Sequence, residues 1–206
     1  MQPIDSLPEA DIQPNGIVSE QFLKRQITSF RSACHWVKAL PYGGNSDSGN
    51  SLLLFQEGQG TCTTKHGAVA RLAQEQNLNV CKNLGFYRLN DEIVTGVNAL
   101  LAVHELSFIP QTHCFLACES SRVDLTEGNC NGKNKTIEDY DFVVPVQSDL
   151  SAQQEEVLYR EYLQRYFLIA PELKAIGEAT ILRLLEACNR QVKYQCSAMA
   201  NRPVAI

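Results

Sequence analysis

The sequence lacks the features that mark membrane-spanning, secreted and nucleic-acid-binding chains. No segment approaches the roughly 20 apolar residues that span a bilayer, and residues 1–16 have neither the charged start nor the apolar stretch of a secretory signal. Lys and Arg are not clustered, and a net charge of -5 with a pI near 5.4 disfavours a polyanionic partner. We therefore expect a cytoplasmic protein that binds neither membrane nor nucleic acid.

The chain also has no internal repeat, no long low-complexity tract and no short paired cysteine spacings. Its 206 residues, of which 44% are hydrophobic and 20% charged, suffice for one domain with a real core. The eight cysteines are scattered, so we expect reduced thiols and not a disulfide framework. No particular oligomeric state is indicated.

The pattern of apolar residues predicts an α+β order of elements in a single domain. Residues 1–16 are typical of an extended arm, 19–39 of one amphipathic helix, and 41–50 of a polar loop. Another helix is expected to begin at Cys62 or at the residue before it. Helices from 151 to 206 are expected to pack on the core. Between them the pattern predicts strands at 79–89, 111–119 and 122–126, and a helix at 92–104.

A cysteine at the start of a helix is the main candidate for chemistry. The unpaired N–H groups and the dipole of a helix N-terminus favour thiolate, which is the nucleophilic form of cysteine. Gly58 and Gly60 allow a tight turn before Cys62, and the backbone N–H of Cys62 can help to bind an oxyanion. The alternative is that Cys62 only packs beneath the helix.

His113 and Asp124 fit the partners that a catalytic cysteine needs, a general base and a group that orients it. His113 opens one predicted strand and Asp124 lies on the next, so a tight turn at Ser120-Ser121 would make the two side chains neighbours. A carboxylate beside an imidazole stabilises imidazolium, which in turn stabilises thiolate. Alternatively, His113 is a half-buried structural residue and Asp124 a cap or a solvated charge.

Three segments in order, GTCTTKHGAVARLA, IPQTHCFLA and RVDLT, resemble transglutaminase-like proteins over about residues 40–128. The resemblance implies a papain-like fold, with the nucleophile helix packed on an antiparallel sheet, and a triad of Cys62, His113 and Asp124, the last within a D-x-T motif. LPYGGNSD and TGVNALLAVHELSFIP are similar to a bacterial subgroup of this superfamily. The sequence departs from the family in one respect. Transglutaminases usually have a tryptophan near the catalytic site, whereas the single Trp of this chain is Trp36, far upstream of His113.

Several polar residues near Cys62 are candidates for binding substrate or an oxyanion. Papain-related enzymes supply a side-chain amide from just before the nucleophile, which favours a Gln or Asn here. The alternative for each is an ordinary solvated surface residue. The candidates are Tyr42, Asn45, Gln56 and Gln59.

The histidines could alternatively bind zinc instead of taking part in catalysis. Cys62 and His66 are four residues apart on one helix and could bind zinc with His104 or His113. Structural zinc sites usually show two short ligand pairs, and only one is present, so we expect no metal. His66 is then a neighbour that tunes the pocket or a residue of the helix surface, and His35 and His104 are structural.

Two functions follow from these residues. The first is acyl transfer to water or an amine by a Cys-His-Asp triad, without a cofactor and with a peptide or protein as substrate; hydrolysis is favoured because no acceptor site is evident. The second is an inactive transglutaminase-like module that binds a peptide or a partner protein. A reactive Cys62 would indicate the first, and an inert one the second.

Overall fold

The computed structural model describes residues 1–200 and has an α+β architecture, which confirms the predicted class. Short 3-10 turns lie at Ile4–Ser6 and Ala102–His104, and a π-helical segment at Leu163–Phe167. The helices and strands are α1 (Ile17–Leu23), α2 (Phe30–Ala39), α3 (Leu53–Glu57), α4 (Cys62–Glu75), β1 (Cys81–Leu89), α5 (Val97–Leu101), β2 (Ile109–Cys118), β3 (Ser121–Val123), β4 (Phe142–Val146), α6 (Ala152–Tyr162), α7 (Pro171–Ile176) and α8 (Glu178–Ala200). Among residues 1–200, no helix is both long and apolar enough to cross a bilayer.

The strands form one sheet in the order β3-β2-β1-β4. β2 and β3 make the expected antiparallel hairpin, in which Cys118 faces Ser121 across the turn. The turn therefore consists of Glu119 and Ser120, with Glu119 in the left-handed region at φ 52°, and it lies one residue earlier than predicted. Because β3 ends at Val123, Asp124 comes directly after the strand and not within it.

The chain divides into two compact units, and the division falls within β1 and β2. The first unit consists of Met1–Gly85, His113–Asn129 and Val143–Ala152, and the second of Phe86–Thr112, Cys130–Phe142 and the chain from Gln153 onward. The residues predicted to form a triad all belong to the first unit.

Helix α4 is the centre of the first unit and is buried on nearly every side. Every residue from 63 to 70 is buried, and α1 and α2 both pack against the helix. Small residues allow this close packing: a Cβ atom on Gly67 would lie 2.6 Å from the carbonyl oxygen of Ser148. A helix surrounded in this way holds its side chains in fixed positions.

The single helix predicted at 19–39 is wrong, because the chain breaks it into α1 and α2. Gln26 has a left-handed φ of 61°, and residues 27–29 then leave the helix before α2 begins at Phe30, whose N–H takes part in the same pairing as residues 28 and 29. Their backbone pairs with residues 10–12 through N–H···O bonds of 2.8 and 2.9 Å. This pairing replaces hydrogen bonds that a continuous helix would have made within itself. The apolar spacing was nonetheless informative, since Phe22, Phe30, Ala33, Cys34 and Val37 are all buried.

The second unit is built around stacked aromatic rings and the C-terminal helices. Phe86 of β1 stacks on Tyr162 of α6 with ring centroids 4.3 Å apart. The hydroxyl of the buried Tyr159 donates to the carbonyl oxygen of Pro110 over 2.7 Å. Helix α8 packs against α5. The helices predicted for 151–206 are therefore present up to residue 200, with an interruption at Gly177, which has a φ of 78°, and residues 201–206 lie outside the described part of the chain.

Candidate active site

Cys62 is the first residue of α4 and is half-buried, as the sequence pattern indicated for the helix start. The backbone N–H of Thr61 donates to the hydroxyl oxygen of Thr64 over 3.0 Å, which pairs one donor at the end of the helix. Thr64 in turn donates its hydroxyl to Oδ1 of Asn45 over 2.7 Å. The helix start and the preceding loop are thus joined by direct hydrogen bonds, and the dipole of a 14-residue helix favours negative charge at Cys62.

The loop at 41–50 runs beside the residues that lead into Cys62. Tyr42 and Gly60 form a parallel bridge, with hydrogen bonds from Gly60 N–H to Pro41 O (3.2 Å) and from Gly43 N–H to Gly60 O (3.3 Å). A Cβ atom on Gly60 would lie 2.7 Å from Oγ1 of Thr64, so the close approach requires glycine. Backbone pairing therefore places Tyr42 beside Gly60, which precedes Cys62 by two residues in the chain.

The amide groups proposed as oxyanion donors are engaged in this loop. Asn45 donates both amide hydrogens, to Oε2 of Glu57 (2.8 Å) and to the carbonyl oxygen of Gln59 (2.9 Å). Gln59 donates to the carbonyl oxygen of Gly44 over 2.8 Å. Gln56 lies exposed on α3. These contacts give Asn45 and Gln59 a role in shaping the loop.

His113 and Asp124 lie side by side, as the predicted hairpin required. Nε2 of His113 is 2.8 Å from Oδ2 of Asp124, and both side chains are buried, with exposed fractions of 1% and 5%. An ionised carboxylate only accepts hydrogen bonds, so Nε2 carries the proton. The other ring nitrogen, Nδ1, is therefore the one that would exchange a proton with a thiol.

The charge of Asp124 is maintained despite its burial. Burial alone would raise the pKa of this carboxyl, but the charge and hydrogen bond of His113 hold the pKa well below its usual value. Thr126 adds two hydrogen bonds, from its backbone N–H and its hydroxyl, both 2.7 Å from Oδ1. The D-x-T motif thus has a physical reason, since the threonine saturates one carboxylate oxygen and leaves the other to His113.

The first turn of α4 lies against β2 at His113. Oγ1 of Thr63 is 3.9 Å from Sγ of Cys114, the residue after His113. One turn further along α4, the ring of His66 meets the ring of His113 edge to face, with centroids 6.2 Å apart. The structure therefore brings the helix that begins at Cys62 to the His113–Asp124 pair.

His66 lies in the same cluster as His113 and Asp124. It was expected to tune the pocket or to lie on the helix surface, and it is completely buried. Nδ1 of His66 is 2.7 Å from the carbonyl oxygen of Cys62, and Nε2 accepts the backbone N–H of Leu125 over 2.8 Å. The signal available in the sequence was its position between Lys65 and Gly67, within a helix rich in small residues that must pack closely.

The ring nitrogens of His66 are thus both engaged with the protein backbone, which leaves this residue unsuited to the zinc site considered as an alternative. Across residues 1–200, no group of three or more Cys, His, Asp or Glu side chains has the arrangement of a metal site.

Lys65, next to His66, has its ammonium group buried against the C-terminal end of α2. Its Nζ donates to the carbonyl oxygens of Lys38 (3.3 Å) and Leu40, and Asn129 donates to the same two oxygens. Burial, together with repulsion from Lys38, lowers the pKa of Lys65 to about 8, although the charge of Asp124 opposes this shift. The buried lysine thus caps a helix end close to the candidate site.

Comparison with known proteins adds no relative from which a function could be transferred. No protein-family model, no curated protein and no solved structure matches this chain. The interpretation of the site therefore depends on its own residues and their geometry.

Proposed function

We propose that this protein is a cysteine-nucleophile enzyme that cleaves or transfers a peptide or amide acyl group through Cys62, His113 and Asp124. The observation that carries the proposal is the buried His113–Asp124 pair, with 2.8 Å between Nε2 and Oδ2, against the first turn of the helix that begins at Cys62. In this proposal the imidazole of His113, oriented by Asp124, activates the thiol of the half-buried Cys62 at the helix start.

The proposed reaction proceeds in two halves. His113 takes the thiol proton of Cys62 on Nδ1, and the thiolate attacks the acyl carbonyl carbon to form a tetrahedral oxyanion, which the backbone N–H of Cys62 can stabilise. The C–N bond then breaks, the amine leaves with the proton from His113, and a thioester remains on Cys62. Water, or a second amine, attacks the thioester and loses its proton to His113. The C–S bond then breaks, the acid or the new amide leaves, and the thiolate of Cys62 takes the proton back from His113, so that no cofactor takes part.

The proposal includes membership of the transglutaminase-like superfamily, with a papain-related core made of α4 and the sheet. Support comes from the order Cys62, His113, Asp124 along the chain, from the helix start at Cys62, and from the hydrogen-bonded D-x-T motif. We favour hydrolysis of a peptide or isopeptide bond over transfer to an amine. Brief incubation with peptide amides, followed by intact-mass measurement, would detect the acyl group on Cys62, and an added primary amine would distinguish transfer from hydrolysis.

The decisive test is the rate at which iodoacetamide alkylates Cys62 at pH 6, located by peptide mass mapping because other cysteines are also accessible. The wild type should react fast at this pH, and His113→Ala should reduce the rate by about tenfold or more. His35→Ala is the matched control, because His35 is exposed on α2. Slow labelling that is the same in all three proteins would contradict the enzyme and favour the peptide-binding module.

A further inference from the structure

The buried imidazole of His66 connects the two elements that carry the proposed catalytic groups. On one side, Nδ1 lies 2.7 Å from the carbonyl oxygen of Cys62, at the start of α4. On the other side, Nε2 lies 2.8 Å from the backbone nitrogen of Leu125, the residue after Asp124. A single ring therefore spans the distance between the nucleophile's own peptide group and the segment that holds the carboxylate.

These contacts determine the protonation of the ring. A backbone N–H can only donate, so Nε2 of His66 must accept and carries no proton. A carbonyl oxygen can only accept, so Nδ1 must donate and carries the proton. His66 is accordingly a neutral imidazole of one tautomer, even though Oδ1 of Asp124 lies 3.4 Å from Nε2. Thr126 already gives two hydrogen bonds to that oxygen, which makes a charged histidine unnecessary there.

We infer that His66 is a positioning residue for the proposed reaction, which holds the backbone at Cys62 at a fixed distance from the Asp124–Thr126 segment. The inference depends on the function proposed above. His66 does not exchange a proton with substrate, because both ring nitrogens are bonded to backbone groups. It acts through Cys62 and Asp124: if either backbone bond is lost, the first turn of α4 can shift relative to His113. Small displacements of this kind reduce catalysis strongly.

The charged and titratable groups around the ring are few and identifiable. Asp124 faces Nε2, the ring of His113 meets His66 edge to face, and Lys65 precedes it on α4 with its ammonium turned to the end of α2. The carboxylate is held by three other hydrogen bonds, from His113 and Thr126. A substitution of His66 that keeps a donor and an acceptor should therefore leave these groups in place.

The test compares two substitutions of His66 with a packing control. His66→Phe fills the space but makes neither backbone bond, whereas the amide of His66→Gln can donate at one end and accept at the other. Val69→Ala removes buried volume from the same helix but no hydrogen-bonding group, and controls for loss of stability. Each protein is measured for the pH profile of Cys62 alkylation between pH 5 and 9 and for urea unfolding.

We expect His66→Phe to slow alkylation of Cys62 at pH 6 by about tenfold while the protein remains folded, and His66→Gln to recover most of the rate. Val69→Ala should lower stability and leave the pH profile unchanged.

If His66→Phe destabilises the protein but keeps the wild-type profile, His66 is only a core residue and the inference is overturned, although the proposed enzyme stands. If His66→Phe does not fold, His66→Asn takes its place, because its shorter amide cannot reach both backbone groups: slowed alkylation in His66→Asn supports the inference, and a wild-type profile overturns it. A wild type without activated labelling overturns both proposals.

Discussion

Thr126 donates both its backbone N–H and its hydroxyl to Oδ1 of Asp124, each over 2.7 Å. These two bonds fix the plane of the carboxylate, so that Oδ2 points to Nε2 of His113. The orientation of the proposed base therefore depends on a residue two positions beyond the carboxylate. Each part of this arrangement can be changed separately.

Replacing Thr126 by Val should remove the hydroxyl donor while keeping the side-chain shape. Because the lost bond is to a charged group in a buried site, we expect the free energy of unfolding to fall by about 1–3 kcal/mol and alkylation of Cys62 at pH 6 to slow. Urea unfolding and mass mapping measure the two effects. Thr112→Val is the control, since the hydroxyl of Thr112 also donates to a carboxylate, that of Glu155, over 2.6 Å. Equal labelling in both variants would contradict the role of Thr126.

Asp124→Asn should destabilise the protein in a pH-dependent way. A carboxyl whose native pKa lies below its usual 3.8 contributes stability at higher pH, and that stability is lost as the pH falls through the native pKa. The difference in unfolding free energy between wild type and Asp124→Asn should be about 2 kcal/mol or more at pH 7 and should shrink below about pH 4. Urea titrations at several pH values test this. A difference that stays constant would show that the carboxylate charge does not stabilise the fold.

Lys65→Met should show how the buried ammonium group of Lys65 changes the free energy of unfolding. The native pKa of Lys65 is about 8 against its usual 10.5, so the unfolded chain binds the proton more tightly. The contribution of Lys65 to stability therefore rises as the pH increases from about 8 to 10.5. The unfolding free energy of wild type minus that of Lys65→Met should increase between pH 7 and pH 10, while the titration of tyrosines and cysteines cancels in the difference. A decrease would mean that the ammonium form is the preferred one in the native state.

Gly67→Ala should destabilise the protein although alanine is the better helix former. The added methyl group would lie 2.6 Å from the carbonyl oxygen of Ser148, and the strain should exceed the gain of about 1 kcal/mol in helix propensity. A net loss of about 1–3 kcal/mol is expected in thermal or urea unfolding. Gly44→Ala is the control, because a Cβ atom there would meet no atom within 4 Å. Similar stability of the two variants would count against close packing at α4.

Local signals in the sequence predicted the parts of the fold that local chemistry decides. The start of α4 at Cys62 follows from the small residues before it and the apolar stripe after it, and the hairpin from the two apolar strands that join His113 to Asp124. The break between α1 and α2 could not be predicted in this way. Gln26 carries no Gly or Pro signal, and the extended segment after it forms because it pairs with residues 10–12, which are distant in sequence.

The candidate site was predicted only where a residue type is itself informative. Cysteine, histidine and aspartate in a known order indicated Cys62, His113 and Asp124. The sequence left His66 open between a pocket neighbour and a surface residue, because a helix surrounded on nearly every side cannot be distinguished from a surface helix without its packing partners. The hydrogen bonds that the Asn45 amide donates to Glu57 and Gln59 could not be predicted either, because they depend on the conformation of the folded loop.

The close packing of Gly67 against the carbonyl oxygen of Ser148 also limits which substitutions this protein can accept during evolution. A lineage that keeps this packing can accept a larger residue at position 67 only by moving the helix or the chain at Ser148. Movement of the helix would displace His66, the preceding residue. Loss of glycine at this position should therefore occur together with a change at Ser148 or with a change in the chemistry proposed for Cys62.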